Sequence, residues 1–159
     1  MKIPTTLTEK SVIVSDNYER IDGRNAYHTD VKRLSLGLSQ KGEQGKADIT
    51  AKIWRQIGEE WSNKSEELPL HRVIDLAILI CKSSQHFQDA YRFPKLYEPE
   101  NPKVDRIGLQ GDAMDVSICI ENPMIDEDIK LFSQALSDNG EMIGERLRVL
   151  SRLLKEMGY

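Results

Sequence analysis

Apolar and polar positions change period several times along this chain, and each change marks an element. Val12-Ile13-Val14 is a short β-branched run between Ser11 and Ser15, which predicts a strand. Residues 16–30 are polar and mixed in charge, with Asp22-Gly23 marking a turn. Leu34, Leu36 and Leu38 then alternate with Ser35, Gly37 and Ser39. That period of two predicts a half-buried strand. The alternation resumes at Ala47, Ile49, Ala51 and Ile53 after the glycine-bearing stretch 41–46, so the two runs form an antiparallel hairpin. A polar linker, 58–64, leads onward, with Trp54 and Trp61 expected to pack near the start of the next helix.

The longest apolar run, Leu68 to Cys81, is interrupted only by Pro69, His71, Arg72 and Asp75. It predicts a central core helix over about 66–92, covered on most sides because it is apolar on most sides. Ser65 is the expected N-cap and Phe93-Pro94 the stop, since the residue before proline avoids the helical region. Pro94, Pro99 and Pro102 make 94–103 an extended connection. A second strand pair is expected at Ile107–Leu109 and Val116–Ile120, turning at Gln110-Gly111-Asp112. Asn122-Pro123 reads as cap and first residue of a helix carrying Ile125, Ile129, Phe132 and Leu136 on one face. Asp138-Asn139-Gly140 reads as its left-handed stop. Ile143, Leu147, Leu150, Leu154 and Met157 define a last helix, and the two make an αα-hairpin over about 123–157. The sum is an α+β protein: one domain, 1–159, with a small, mainly antiparallel sheet packed on the central helix and the C-terminal hairpin.

Composition narrows the function classes. A net charge of −4 and a pI near 5.5 argue against nucleic-acid binding through a broad basic surface. The apolar run is too short to cross a bilayer, and no secretory signal is expected at the N-terminus. Cys81 and Cys119 sit among isoleucines, which predicts reduced core thiols in a cytoplasmic, bacterial-type protein. No cofactor is implied.

The strongest chemical signal is Tyr18–Arg33. Sixteen positions hold two tyrosines, three arginines, a lysine, a histidine and an asparagine. Guanidinium forks grip phosphate or carboxylate bidentately, and tyrosine faces stack planar groups. Arg20, Arg24 and Arg33 are therefore candidate anion anchors, with Asn25, Tyr27 and His28 shaping the pocket. The bland alternative is a solvated loop whose arginines pair with Glu19, Asp22 and Asp30. A rival reading makes a metal-dependent hydrolase from His28, Asp30, His71 and Asp75, the last two being one helical turn apart. A third makes the chain an inhibitor or immunity-type factor that docks through the acidic helix start at Asp126. Asp112 and Asp115 read as turn residues rather than an acid–base pair. The residues favour a non-enzymatic binding module for an anionic small molecule or an acidic partner surface. The last helix leaves a second apolar stripe, around Val149 and Leu153, for a partner or a symmetric copy.

Overall fold

The structure is a computed structural model that describes residues 9–39, 49–62 and 66–159. The fold is α+β. Its strands are β1 (Glu9–Ser15), β2 (Val31–Ser39), β3 (Ile49–Ile57), β4 (Glu60–Trp61), β5 (Glu66–Pro69), β6 (Lys103–Leu109) and β7 (Asp112–Ser117). Its helices are α1 (Leu70–Asp89), α2 (Ile125–Asp138) and α3 (Gly140–Met157). The chain divides into two compact units, Met1–Ala77 and Ile78–Tyr159, the division falling inside α1.

The first unit is a five-stranded antiparallel sheet. β1, β2, β3 and β4 follow in order, and β5 also pairs with β3. The expected hairpin is β2–β3, in the register that sets Leu34 opposite Ile53, Leu36 opposite Ala51 and Leu38 opposite Ile49. Its connecting stretch, with Ala47, lies outside the described residues. All the alternating apolar residues thus share one face, as a period of two requires.

The buried face is the other one. Ser35, Thr50, Lys52 and Trp54 are buried, Trp54 completely, whereas Leu36 and Leu38 are each 38% exposed and Ile49 is 48% exposed. Trp54 explains the inversion. It is the largest side chain of the hairpin, it points to the serine–lysine side, and it packs edge-on against Trp61 at 5.9 Å between ring centres. Trp61 reaches it because the stretch after Gly58 doubles back as β4, with Gln56 opposite Trp61. The two tryptophans therefore pack on each other where β4 folds back on β3. The expected polar linker is partly a strand.

The central helix is shorter and barer than its sequence implies. Residues 66–69 pair with β3 as β5, so α1 starts at Leu70 with no connecting residue; Ser65 lies outside the described residues. No residue of α1 is buried. This corrects the expectation of a covered core helix: Val73, Ile74, Leu76 and Ile80 are all exposed. Cys81 and Cys119 are free and exposed too, not core residues. The helix does end before Phe93, which is extended (φ −109°, ψ 129°) ahead of Pro94.

In the second unit, β6 and β7 pair through a two-residue turn at Gln110-Gly111, with Gly111 at φ 92°. Both strands start earlier than predicted; β6 ends at Leu109 as expected, whereas β7 ends at Ser117 and Ile118 to Ile120 leave the sheet. α2 begins two residues after Pro123, because the Asn122 side chain caps a turn first: its Oδ1 accepts the Met124 N–H at 2.9 Å. Asn139 is not left-handed (φ −95°), and Gly140 opens α3 instead of stopping α2. The left-handed glycine stands at the far end of α3, Gly158 at φ 94°.

Candidate functional site

The Tyr18–Arg33 segment folds as two single-turn 3-10 helices, Tyr18–Arg20 and Gly23–Asn25. Tyr27 follows in a left-handed conformation (φ 65°), its amide donating to the Glu19 carbonyl at 2.7 Å. A β-bulge between Val31 and Arg33 then feeds the chain into β2. Bulges re-aim side chains. Here Lys32 meets Glu19 at 2.6 Å, and Arg33 meets Asp16 while its guanidinium lies 5.9 Å from the centre of the Trp61 ring. The hydrogen bond from Lys32, followed by its charge, holds the Glu19 carboxyl below the ordinary carboxylate range.

The expected anion anchors are thus placed unequally. Arg33 is an ion-paired, mostly buried group against a tryptophan, while Tyr27 stands 73% exposed. Asn25 and His28 lie within the turns, the Asn25 amide donating to the Asp22 carbonyl and the His28 amide to the Asn25 carbonyl. Arg20 adds its charge to the field at Glu19, and Arg24 has contacts of its own.

The alternative set, His28, Asp30, His71 and Asp75, is not gathered. Asp30 accepts from Arg55 at 2.8 Å, and Arg55 also holds Glu66 at 2.7 Å. Among the described residues no three His, Cys, Asp or Glu side chains stand together as a metal cage. Asp112 and Asp115 are both gripped by Arg106, at 3.0 and 3.1 Å, with Lys103 on Asp115 as well. Asp126, at the acidic helix start, is held by Lys95 at 3.0 Å and accepts from the Tyr97 hydroxyl at 3.2 Å.

A concave site does exist, in the second unit. The last turns of α1, the β6–β7 hairpin, the stretch after β7 and α2 enclose a cleft of about 380 Å³. Its walls are apolar: Leu79 and Phe87 from α1, Val104 and Val116 from the hairpin, Ile118, and Ile125, Ile129 and Phe132 from α2. Phe87 and Phe132 meet across it at 5.4 Å between ring centres. Polar groups are few and dispersed: Ser83, His86, Ser117, Cys119, Asn122 and Asp128. That is the composition of a small-molecule pocket, at the small end of the usual range of about 300–1,000 Å³.

Two of these polar groups are fixed from behind. His86 donates from Nε2 to the Leu96 carbonyl at 3.1 Å and sits between Phe87, edge-on at 5.2 Å, and Phe93, stacked at 6.4 Å. That bond to the carbonyl commits Nε2–H and fixes the plane of the ring. Asn122 donates from Nδ2 to Asp128 at 2.8 Å while its oxygen caps the turn, so its orientation is set from both ends.

A wider groove of about 520 Å³ lies among α1, α2 and α3, but small and polar residues such as Ser84, Ser133, Ser137, Gly140 and Gly144 line much of it. It offers less apolar grip.

Along its whole length, residues 1–159, the chain matches a family described as a family of unknown function (DUF6530). The chain belongs to that family. No curated protein and no solved structure matches it. Among the described residues, no helix is long and apolar enough to cross a membrane.

Sequence reasoning missed the cleft. Its residues come from four separate stretches, none of which carries a pocket signature on its own. The one available signal was His86 between Gln85 and Phe87, a histidine next to an aromatic at the end of the apolar helix.

Proposed function

We propose that this chain is a non-catalytic binding protein of the cytoplasm, whose ligand is a small, largely apolar molecule with one hydrogen-bonding group. The cleft of the second unit carries this reading: eight apolar side chains from four stretches of chain converge on a ligand-sized space, with His86 held in place beside it. Apolar walls supply affinity through burial, and a fixed imidazole supplies orientation. Two exposed free thiols suit a reducing compartment. An anionic ligand on the 18–33 segment has less support, because Lys32 and Arg33 already answer Glu19 and Asp16.

A thermal-shift screen of apolar fragments bearing an N–H or O–H group tests the reading. A ligand at about 100 times its Kd stabilises by about 2.7 kcal/mol, a rise of roughly 5–10 °C for a chain of this size. Ser83→Phe, which plugs the cleft from α1, is expected to abolish the shift with the circular dichroism unchanged. A shift that survives Ser83→Phe and disappears in Arg24→Ala would return the site to the cationic segment.

A further inference from the structure

Asp128 is the one carboxylate that lines the cleft of the second unit, and among the described residues no lysine or arginine lines it. It comes from the first turn of α2 and is exposed, which sets it at the rim of the cleft rather than on its floor. Its Oδ2 accepts the Asn122 amide at 2.8 Å, and Asn122 is itself fixed by the turn it caps. The carboxylate is therefore held in place without being neutralised: among the described residues it pairs with no cation.

Other aspartates of this unit are answered. Asp105 meets Lys82, Asp115 meets Lys103 and Arg106, and Asp126, two residues earlier on the same helix, meets Lys95. Asp128 differs because of its neighbours. The positions three and four residues away, which share its side of the helix, are Met124, Ile125, Leu131 and Phe132. The helix supplies it with no cation of its own.

We propose that the ligand of this cleft is an organic ammonium, its apolar body inside and its charged nitrogen at the rim against Asp128. The inference rests on the reading of the cleft as a ligand pocket, and it names the charge of the ligand. Apolar walls accept a hydrocarbon or aryl body, whereas a charge stripped of water needs an opposite charge to answer it. A nitrogen beside an exposed carboxylate keeps part of its hydration and gains a charge-assisted hydrogen bond. Phe87 and Phe132, whose rings meet across the cleft, add the attraction of aromatic faces for a cation. An anionic molecule of the same shape meets a like charge at the rim and no lysine or arginine on the walls. Selectivity follows from that unpaired charge as much as from the contact with the ammonium.

NMR titration with 2-phenylethylamine, 2-phenylethanol and phenylacetate tests this, since the probes share a shape and differ in charge. At low salt the amine is expected to bind roughly tenfold more tightly than the alcohol, and phenylacetate more weakly than either. In Asp128→Asn the amine is expected to fall to the affinity of the alcohol, which itself holds. Glu127→Gln, in the same turn but off the cleft, is expected to keep the preference. The comparison on the native protein decides by itself should a variant not fold. An alcohol or phenylacetate that binds as tightly as the amine overturns the proposal, as does a preference that survives Asp128→Asn. If Ser83→Phe still abolishes binding in those cases, the cleft remains a pocket and only the ammonium is lost. If none of the three binds, or Ser83→Phe changes nothing, the pocket reading fails and the proposal with it.

Discussion

Trp54 donates its indole N–H to the Ser35 hydroxyl at 2.7 Å, across the β2–β3 pair and wholly out of solvent. This bond sits on the side of the hairpin that alternation marks as polar. It lets a serine–lysine face serve as the buried one: the tryptophan brings the apolar area and the serine satisfies its only polar atom. Lys52 completes the arrangement, its ammonium 4.3 Å from the centre of the Trp54 ring and 3.8 Å from Glu67.

Removing the acceptor should therefore be costly for so small a change. Ser35→Ala leaves a buried N–H unsatisfied, which destabilises by about 1–3 kcal/mol. Urea unfolding followed by tryptophan fluorescence measures it. A loss below about 0.5 kcal/mol would mean that the indole finds water or another acceptor.

Acid should weaken the fold through its ion pairs. Glu19, Glu66, Asp105, Asp115 and Asp126 all have carboxyls held below their ordinary range, chiefly by hydrogen bonds from Lys32, Arg55, Lys82, Lys103 and Lys95 respectively. Each has a folded-state pKa below its unfolded value. Its contribution is therefore fully present above the unfolded carboxylate range and is lost as pH falls through the folded value. Melting temperature should hold from neutrality to about pH 5 and decline below about pH 4, and molar salt should flatten the decline because these groups are solvent-facing. A salt-independent acid transition would contradict this.

Tyr27 separates strain from binding. At φ 65° with its side chain in solvent, it carries the left-handed penalty of about 1–2 kcal/mol for a residue with a Cβ. Tyr27→Gly relieves that and loosens the unfolded chain, so stability should stay level or rise by up to about 1 kcal/mol. A loss larger than that, seen in chemical denaturation, would show the ring to be packed.

The two thiols report on different surfaces. Both are exposed in the single chain, Cys119 at the cleft and Cys81 on α1. A cleft ligand should slow modification of Cys119 by a thiol reagent and leave Cys81 unaffected, which mass spectrometry of the labelled peptides resolves. Equal protection of both would point away from the cleft.

Much of this architecture is legible in the order of residues. A two-residue period at Leu34–Leu38 and Ile49–Ile53 specifies a hairpin and its register, since a slip by one residue would throw every leucine to the opposite side. Spacing of three and four likewise specifies α2 and α3, and Phe93-Pro94 ends the central helix. Boundaries are less legible where a side chain outbids the backbone. Asn122 caps a turn before it can start a helix, and Asn139 joins two helices that a left-handed glycine would have separated more sharply.

Periodicity tells which residues share a side, not which side is covered. That choice fell to Trp54 and Trp61, two bulky rings that meet only after β4 doubles back, so the leucine side stays open. The cleft likewise needs Leu79, Val116, Ile118 and Phe132 in one place, and their separations of up to about fifty positions carry no local signature. Local pattern and propensity act within a turn or a strand pair. Covering a face or closing a pocket depends on contacts between distant segments, and only the folded chain decides those.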